Sequence, residues 1–180
     1  PNTEYTKMYG GVCYLRLEDT NQDNIEPDAY RMIEEDAQWL TGNGISKIII
    51  QSDRMETYYR VALQLLEEHH AYVCTCATET FKKLLDEGEA CPCRNKSTKA
   101  NIEDWHKMHV GEYAEGTAAV RLKTDINHKN PAMKDFAILR INETEHPRQG
   151  KKYRVWPLMN FSVAVDDHEM ALTHVLRGKD

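Results

Sequence analysis

An α/β fold, in which a parallel sheet is interrupted by a smaller inserted α/β unit, is predicted by three observations on this 180-residue sequence. Strand-like apolar runs alternate with amphipathic helical stretches over residues 1–73, the pattern of parallel strands joined by helical crossovers. From Thr117 the apolar period changes to two, as in antiparallel strands with one solvated face. Finally, the run Phe161 to Val165 closes in Asp166-Asp167, as the first strand closes in Glu18-Asp19, which assigns it back to the parallel sheet.

The elements follow in order. Glu4 to Tyr9 followed by Gly10-Gly11 reads as the last turns of a helix with its glycine stop. Tyr14, Leu15 and Leu17 predict a short buried strand running into Glu18 and Asp19. Pro27 suits a first helical position, and Tyr30, Ile33, Ala37 and Leu40 recur at helical spacing, ended by Gly42 and Gly44. Lys47 to Gln51 is a β-branched run that fits a strand buried on both faces. Asp53 with Glu56 has the capping-box pattern, opening a helix with Tyr58, Val61 and Leu65 inward that runs to about His69, where His69-His70 suit a helix C-terminus. Ala71-Tyr72-Val73 is a short strand, Thr78 to Glu87 a helix stopped by Gly88, and Asn101 is the expected cap of a helix carrying Ile102, Trp105 and Met108. Ala118, Val120 and Leu122 alternate with polar residues, and Asp135 to Ile141 is a further strand. The expected division is 1–73 for the first part of the sheet domain, 74–155 for the insertion and 156–180 for the return.

Composition is that of a folded globular chain, 41% hydrophobic and 29% charged. No apolar run approaches bilayer length and the start does not resemble a signal peptide, so a soluble cytoplasmic protein without a membrane partner is expected. The net charge of -6 is uneven: residues 121–154 hold 9 Lys/Arg against 4 Asp/Glu, whereas residues 1–72 hold 6 against 13. A polyanion would prefer the basic segment; a solvated basic face is the other reading. The incomplete first helix and the abrupt stop at Arg177-Gly178-Lys179-Asp180 give the expectation of a portion of a longer protein.

Two motifs bear on chemistry. Cys74-x-Cys76 and Cys91-x-Cys93 are thiol pairs separated by 14 residues, and four thiolates suit a closed, structural tetrahedral zinc site. Two disulfides, or four unrelated thiols, are the alternatives, the first disfavoured in a reducing compartment. Cys13 stands apart as a core thiol. Glu18 and Asp19 lie where open α/β sheets bind ligands, outside the carboxyl ends of strands; a polar turn capping the next helix explains them equally. Asp166-Asp167-His168 reads better as a strand end and cap than as a metal cluster. No Gly-rich phosphate loop is present.

Three stretches together resemble one family: L-R-L-E-D-T-N at 15–21, the Cys-x-Cys pairs, and V-D-D-H-E-M-A-L-T-H-V-L-R-G-K-D at 165–180 are similar to the catalytic region of archaeal-type glutamyl-tRNA synthetases. R-L-K-T-D at 121–125, D-F-A-I-L-R at 135–140 and H-P-R-Q-G at 146–150 fit as well, so the resemblance spans the chain. It implies a Rossmann-type parallel sheet split by an α/β insertion that holds the tRNA acceptor end. The implied activity is ATP- and Mg²⁺-dependent activation of glutamate, followed by transfer to glutamate tRNA or also glutamine tRNA, with no DNA partner. By the same resemblance Glu18 receives the substrate amino group, Arg177 pairs with its side-chain carboxylate, and Arg121, Lys123 and Arg140 lie against the acceptor stem.

The sequence departs from the family in lacking the His-Ile-Gly-His signature and the Lys-Ser-rich loop that hold ATP, and in carrying Met159 where many relatives have a Tyr. The 180 residues alone are therefore expected to be inactive in aminoacylation. Two rival readings stand beside the ligase: a shortened relative that glutamylates a modified tRNA nucleoside, and a non-catalytic zinc-bearing tRNA-binding module built from residues 74–154.

Overall fold

The computed structural model describes residues 1–176 and contains two sheets. Helix α1 (Asn2–Tyr9) ends at Gly10, whose left-handed backbone (φ 64°) turns the chain. Strand β1 (Tyr14–Leu17) then pairs in parallel with β2 (Lys47–Ile50), Leu17 opposite Ile50, so both strands end at the same edge. A parallel pair needs a crossover, and α2 (Ala29–Thr41) supplies it. The two strands form the whole parallel sheet among the described residues. Hence β2 is not buried on both faces: of Lys47 to Ile50 only Ile49 is buried. On α2, Tyr30 and Ala37 are half-buried, but Ile33 and Leu40 are exposed, Leu40 at 78%.

Helix α3 (Met55–Glu67) is the central element. Met55, Tyr58, Ala62 and Leu66 line its fully buried face, with Val61 and Leu65 only half-buried beside it. The expected capping box does not form. Arg54 occupies the cap position, and the Asp53 carboxylate is taken by Arg148 and Gln149 from a distant turn. His69 adopts a left-handed backbone (φ 61°) and its ring meets Thr98 Oγ1 at 2.8 Å.

The second sheet is antiparallel in the order β3 (Ala71–Cys74), β4 (Ala119–Leu122), β5 (Ala137–Ile141) and β6 (Val155–Pro157). Ala71 to Cys74 therefore pairs with β4 and not with the parallel strands. Between β3 and β4 run α4 (Thr78–Glu87) and α5 (Thr98–Val110). Ser97, not Asn101, caps α5, its hydroxyl accepting from the Ala100 amide. Asn101 sits one turn inside the helix, fully buried, and holds the Val73 amide of β3 at 3.0 Å. The core lies between this sheet and α3, α5 and α6, with Tyr58, Met108, Ile138, Leu139 and Trp156 among its fully buried side chains.

The run Phe161 to Val165 is not a returning strand: it lies within helix α6 (Met159–Glu169). Phe161, Ser162, Val165 and Asp166 are its buried residues, a stripe at helical spacing that the β-branched composition of Phe161–Val165 conceals. Asp166 is consequently not a strand end. Its fully buried carboxylate accepts from Arg54 Nε (2.7 Å), Gln51 Nε2 (2.9 Å) and the Tyr58 hydroxyl (2.9 Å), tying α6 to the turn that follows β2 and to α3. Burial and the Asp166 charge push the Tyr58 hydroxyl pKa far up, so Tyr58 stays a donor. Breaking a buried ion pair from one side leaves the other charge unmatched and costs about 3–5 kcal/mol. An Asp166→Ala variant should lower the stability read from urea unfolding by about 3 kcal/mol, whereas an exposed control such as Glu4→Ala should stay within about 0.5 kcal/mol.

Candidate functional site

The four paired cysteines converge. β3 delivers Cys74 at its last residue and Cys76 just beyond, and α4 then carries the chain out to Gly88, whose left-handed φ of 73° sends it back. Cys91 caps a short 3₁₀ turn, Pro92–Asn95, its Sγ accepting from the Cys93 amide at 3.4 Å. All four Sγ atoms lie within 4.8 Å of one another, with Cys76 to Cys91 at 3.3 Å, Cys74 to Cys91 at 3.6 Å and Cys76 to Cys93 at 3.8 Å. These are not disulfides: all five cysteines are free, and a bonded pair would sit near ~2.05 Å. For metal–sulfur bonds of about 2.3 Å, a tetrahedron has sulfur–sulfur edges of roughly 3.8 Å, so the cluster fits a four-coordinate ion with little adjustment. Burial raises the Cys91 thiol pKa, whereas at Cys93 burial is outweighed by hydrogen bonds from Thr75 and the Lys96 charge, which bring it down to about 7. The four thiols could therefore hold a metal, and Cys13 lies apart, buried beside β1.

At the shared edge of β1 and β2 the two acids separate. Glu18 faces solvent, touched by Arg16 Nε at 3.3 Å. Asp19 turns inward, 5% exposed, its carboxylate accepting from the Ser52 amide (2.8 Å), the Ser52 hydroxyl (2.7 Å) and the Tyr30 hydroxyl (2.7 Å). Its main-chain carbonyl takes a further bond from His146 Nε2 at 2.9 Å. His146 is buried in the turn that joins β5 to β6, stacked 4.9 Å from Trp156. Its Nδ1 accepts from the amides of Arg148 and Gln149, which sets Nε2 as the donor. Arg148 and Gln149 then close on Asp53. Asp53, His146 and the H-P-R-Q-G turn are docking residues whose pairing across about a hundred residues has no local periodic signal; only the motif itself hinted at them.

The basic candidates divide too. Arg121 and Arg140, with Cys74, Cys76 and Thr117, line one cleft of about 210 Å³. The Arg121 guanidinium lies 3.4 Å from the Phe81 ring centre, and its Nη1 reaches the Asp135 carbonyl at 3.3 Å. Arg140 bonds Asn21 at 2.7 Å and keeps 40% of its side chain exposed. Lys123 is not a lining residue of that cleft; it is half-buried, and desolvation together with the nearby Arg94 charge lowers its pKa. Arg177 lies outside the described residues. No helix among the described residues is long and apolar enough to cross a membrane.

A family model described as tRNA synthetases class I (E and Q), catalytic domain, matches residues 2–180. Among curated relatives, the glutamate–tRNA ligase of Methanopyrus kandleri is 51% identical over 99% of this chain and 31% of its own length. Those of Methanobrevibacter smithii and Thermoplasma acidophilum are each 53% identical, over 32% of their lengths. The chain thus spans about a third of these relatives. A crystal structure of a glutamate tRNA ligase from Elizabethkingia meningosepticum in complex with its amino acid superposes with a TM-score of 0.65 over 98% of the chain and 39% of that one, at 20% identity. The fold is therefore the mixed α/β architecture of that structure.

The unequal surroundings of the neighbouring acids make a direct prediction. Asp19→Ala strands three donors and should cost about 3 kcal/mol in urea unfolding, whereas Glu18→Ala should cost less than about 0.5 kcal/mol.

Proposed function

The chain belongs to the tRNA synthetases class I (E and Q), catalytic-domain family, and from that premise we propose that the whole protein is a glutamate–tRNA ligase. It activates glutamate with ATP and Mg²⁺: a carboxylate oxygen of glutamate attacks the α-phosphorus, pyrophosphate leaves, and the terminal ribose hydroxyl of tRNA then displaces AMP. The observation that carries this reading is the identity of 51–53% with archaeal glutamate–tRNA ligases across nearly the entire chain. The shortened nucleoside-modifying relative and the isolated binding module have no comparable support.

In this proposal Glu18, held at the carboxyl edge of β1 with an open side, receives the substrate ammonium, and Arg177 receives the side-chain carboxylate through a planar guanidinium fork. Arg121 and Arg140, flanking one cleft, are the acceptor-strand contacts favoured over Lys123, which does not line it. The inserted unit, with Cys74, Cys76, Cys91 and Cys93 holding zinc, braces that cleft. The ion is structural, since four thiolates leave no open position. The division of the chain at 73 and 155 into sheet domain, insertion and return belongs to this reading, with the antiparallel sheet running from β3 at Ala71 to β6 at Pro157.

Two measurements test it. Glu18→Gln in the full-length protein should raise the KM for glutamate at least about tenfold, the loss of one charge-assisted contact, with the KM for ATP unchanged; an unchanged glutamate KM overturns the assignment. Protein purified without chelator should hold one zinc per chain by elemental analysis, and a Cys76→Ser, Cys93→Ser variant none. A metal-free native protein overturns the zinc site.

A further inference from the structure

Arg16 carries two carboxylates at once. Its Nε donates to Glu18 Oε1 at 3.3 Å and its Nη1 donates to Asp167 on α6. Its side chain is 11% exposed, against 33% for Glu18 and 31% for Asp167, so the guanidinium is covered while each carboxylate keeps a free side. Glu18 is the first residue past β1, two positions from Arg16, and the Nε–Oε1 contact brings the two side chains to the same side of the chain. Asp167 lies 151 residues further along, at the last turn of a helix whose end leads into residues 170–176. That stretch is itself anchored: the Asp167 carbonyl accepts from the Leu172 amide at 2.9 Å, and Leu176 exchanges two main-chain bonds with the Asn2 side chain.

We propose that Arg16 is a positioning residue for the amino-acid site, holding Glu18 in one rotamer and locking it, through Asp167, to α6. The inference rests on the assignment of Glu18 to the substrate ammonium. Two physical arguments carry it. A free glutamate side chain loses rotamer entropy when it grips a ligand, and a carboxylate already held by a covered guanidinium loses far less on binding. The charges also add correctly. A lone Arg16 beside the site would repel an ammonium, but one guanidinium shared by Glu18 and Asp167 leaves a net single negative charge facing it. Lysine cannot replace the fork, because one ammonium on a flexible stem does not meet two carboxylates in fixed directions.

The test is a double-mutant cycle in the full-length protein, with aminoacylation of glutamate tRNA as the readout. Arg16→Gln should raise the KM for glutamate about tenfold while the KM for ATP and the thermal midpoint stay near wild type. Arg16→Lys should recover less than half of that loss on a logarithmic scale. In a Glu18→Gln background, Arg16→Gln should add less than about twofold, because it acts through the group already removed. Independent, multiplying effects of Arg16→Gln and Glu18→Gln, or a glutamate KM unmoved by Arg16→Gln while Glu18→Gln raises it, overturn the positioning role and leave Glu18's assignment intact. A glutamate KM unmoved by Glu18→Gln overturns both. A parallel rise in the ATP KM with a lowered thermal midpoint for both Arg16 variants reduces Arg16 to a structural residue and overturns the proposal.

Discussion

A carboxylate taken out of water must be met by donors, and at Asp19 the donors to the carboxylate and to the main-chain carbonyl come from three separate parts of the chain. Ser52 follows β2, Tyr30 stands on α2, and the carbonyl of the same residue is bonded by His146 from the turn between β5 and β6. One residue thus fixes the exit of β1 relative to β2, the crossover helix and the antiparallel unit together. Around it, the Asp53 clamp, the Asp166 network and the contacts of Asn21 and Asp23 with Arg140 and Thr144 add further polar links between the two sheets. The rigidity of the frame and the openness of Glu18 are two sides of the same arrangement: Asp19 is saturated, so Glu18 is the acid left to face solvent.

Much of the frame is legible in the amino-acid order because local signals there agree with tertiary demands. Helix α4 begins and ends where Thr78, Glu87 and Gly88 place it, and β1, β3 and the helix from Thr98 to Val110 fall within a few residues of expectation. The cysteine pairs converge as their spacing suggests. The misreadings share a cause. Phe161 to Val165 has strand composition but helical burial, because Phe161 and Val165 pack on the core while Ser162 and Asp166 enter a buried polar network from the same face. Asp53 and Asn101 have the residue types of helix caps, yet each is claimed by a long-range partner, Arg148 in one case and the Val73 amide in the other. Local propensity is outweighed where a distant donor or acceptor has no other way to be satisfied.

The site itself was half legible. Paired acids at a strand end announced a place, but nothing local distinguished Glu18 from Asp19; that difference depends on Ser52, Tyr30 and His146, which lie 11 to 127 residues away. Arg121, Lys123 and Arg140 likewise stand alike in the family resemblance, and only their packing divides Arg121 and Arg140, on a common cleft, from Lys123. Membership of the synthetase family accounts for the order of the motifs, while the contacts of Asp19 set a buried network directly beside the exposed Glu18.

The stacking of His146 on Trp156, 4.9 Å apart and 12° from parallel, has an optical consequence. Trp156 is fully buried, Trp105 nearly so, and Trp39 is 82% exposed on α2. An aqueous quencher would extinguish Trp39 first, leaving an emission dominated by interior indoles, one of which lies face to face with the imidazole that grips Asp19. The seam between the two sheets therefore carries its own chromophore, and its loosening would be visible as a change of emission colour and lifetime.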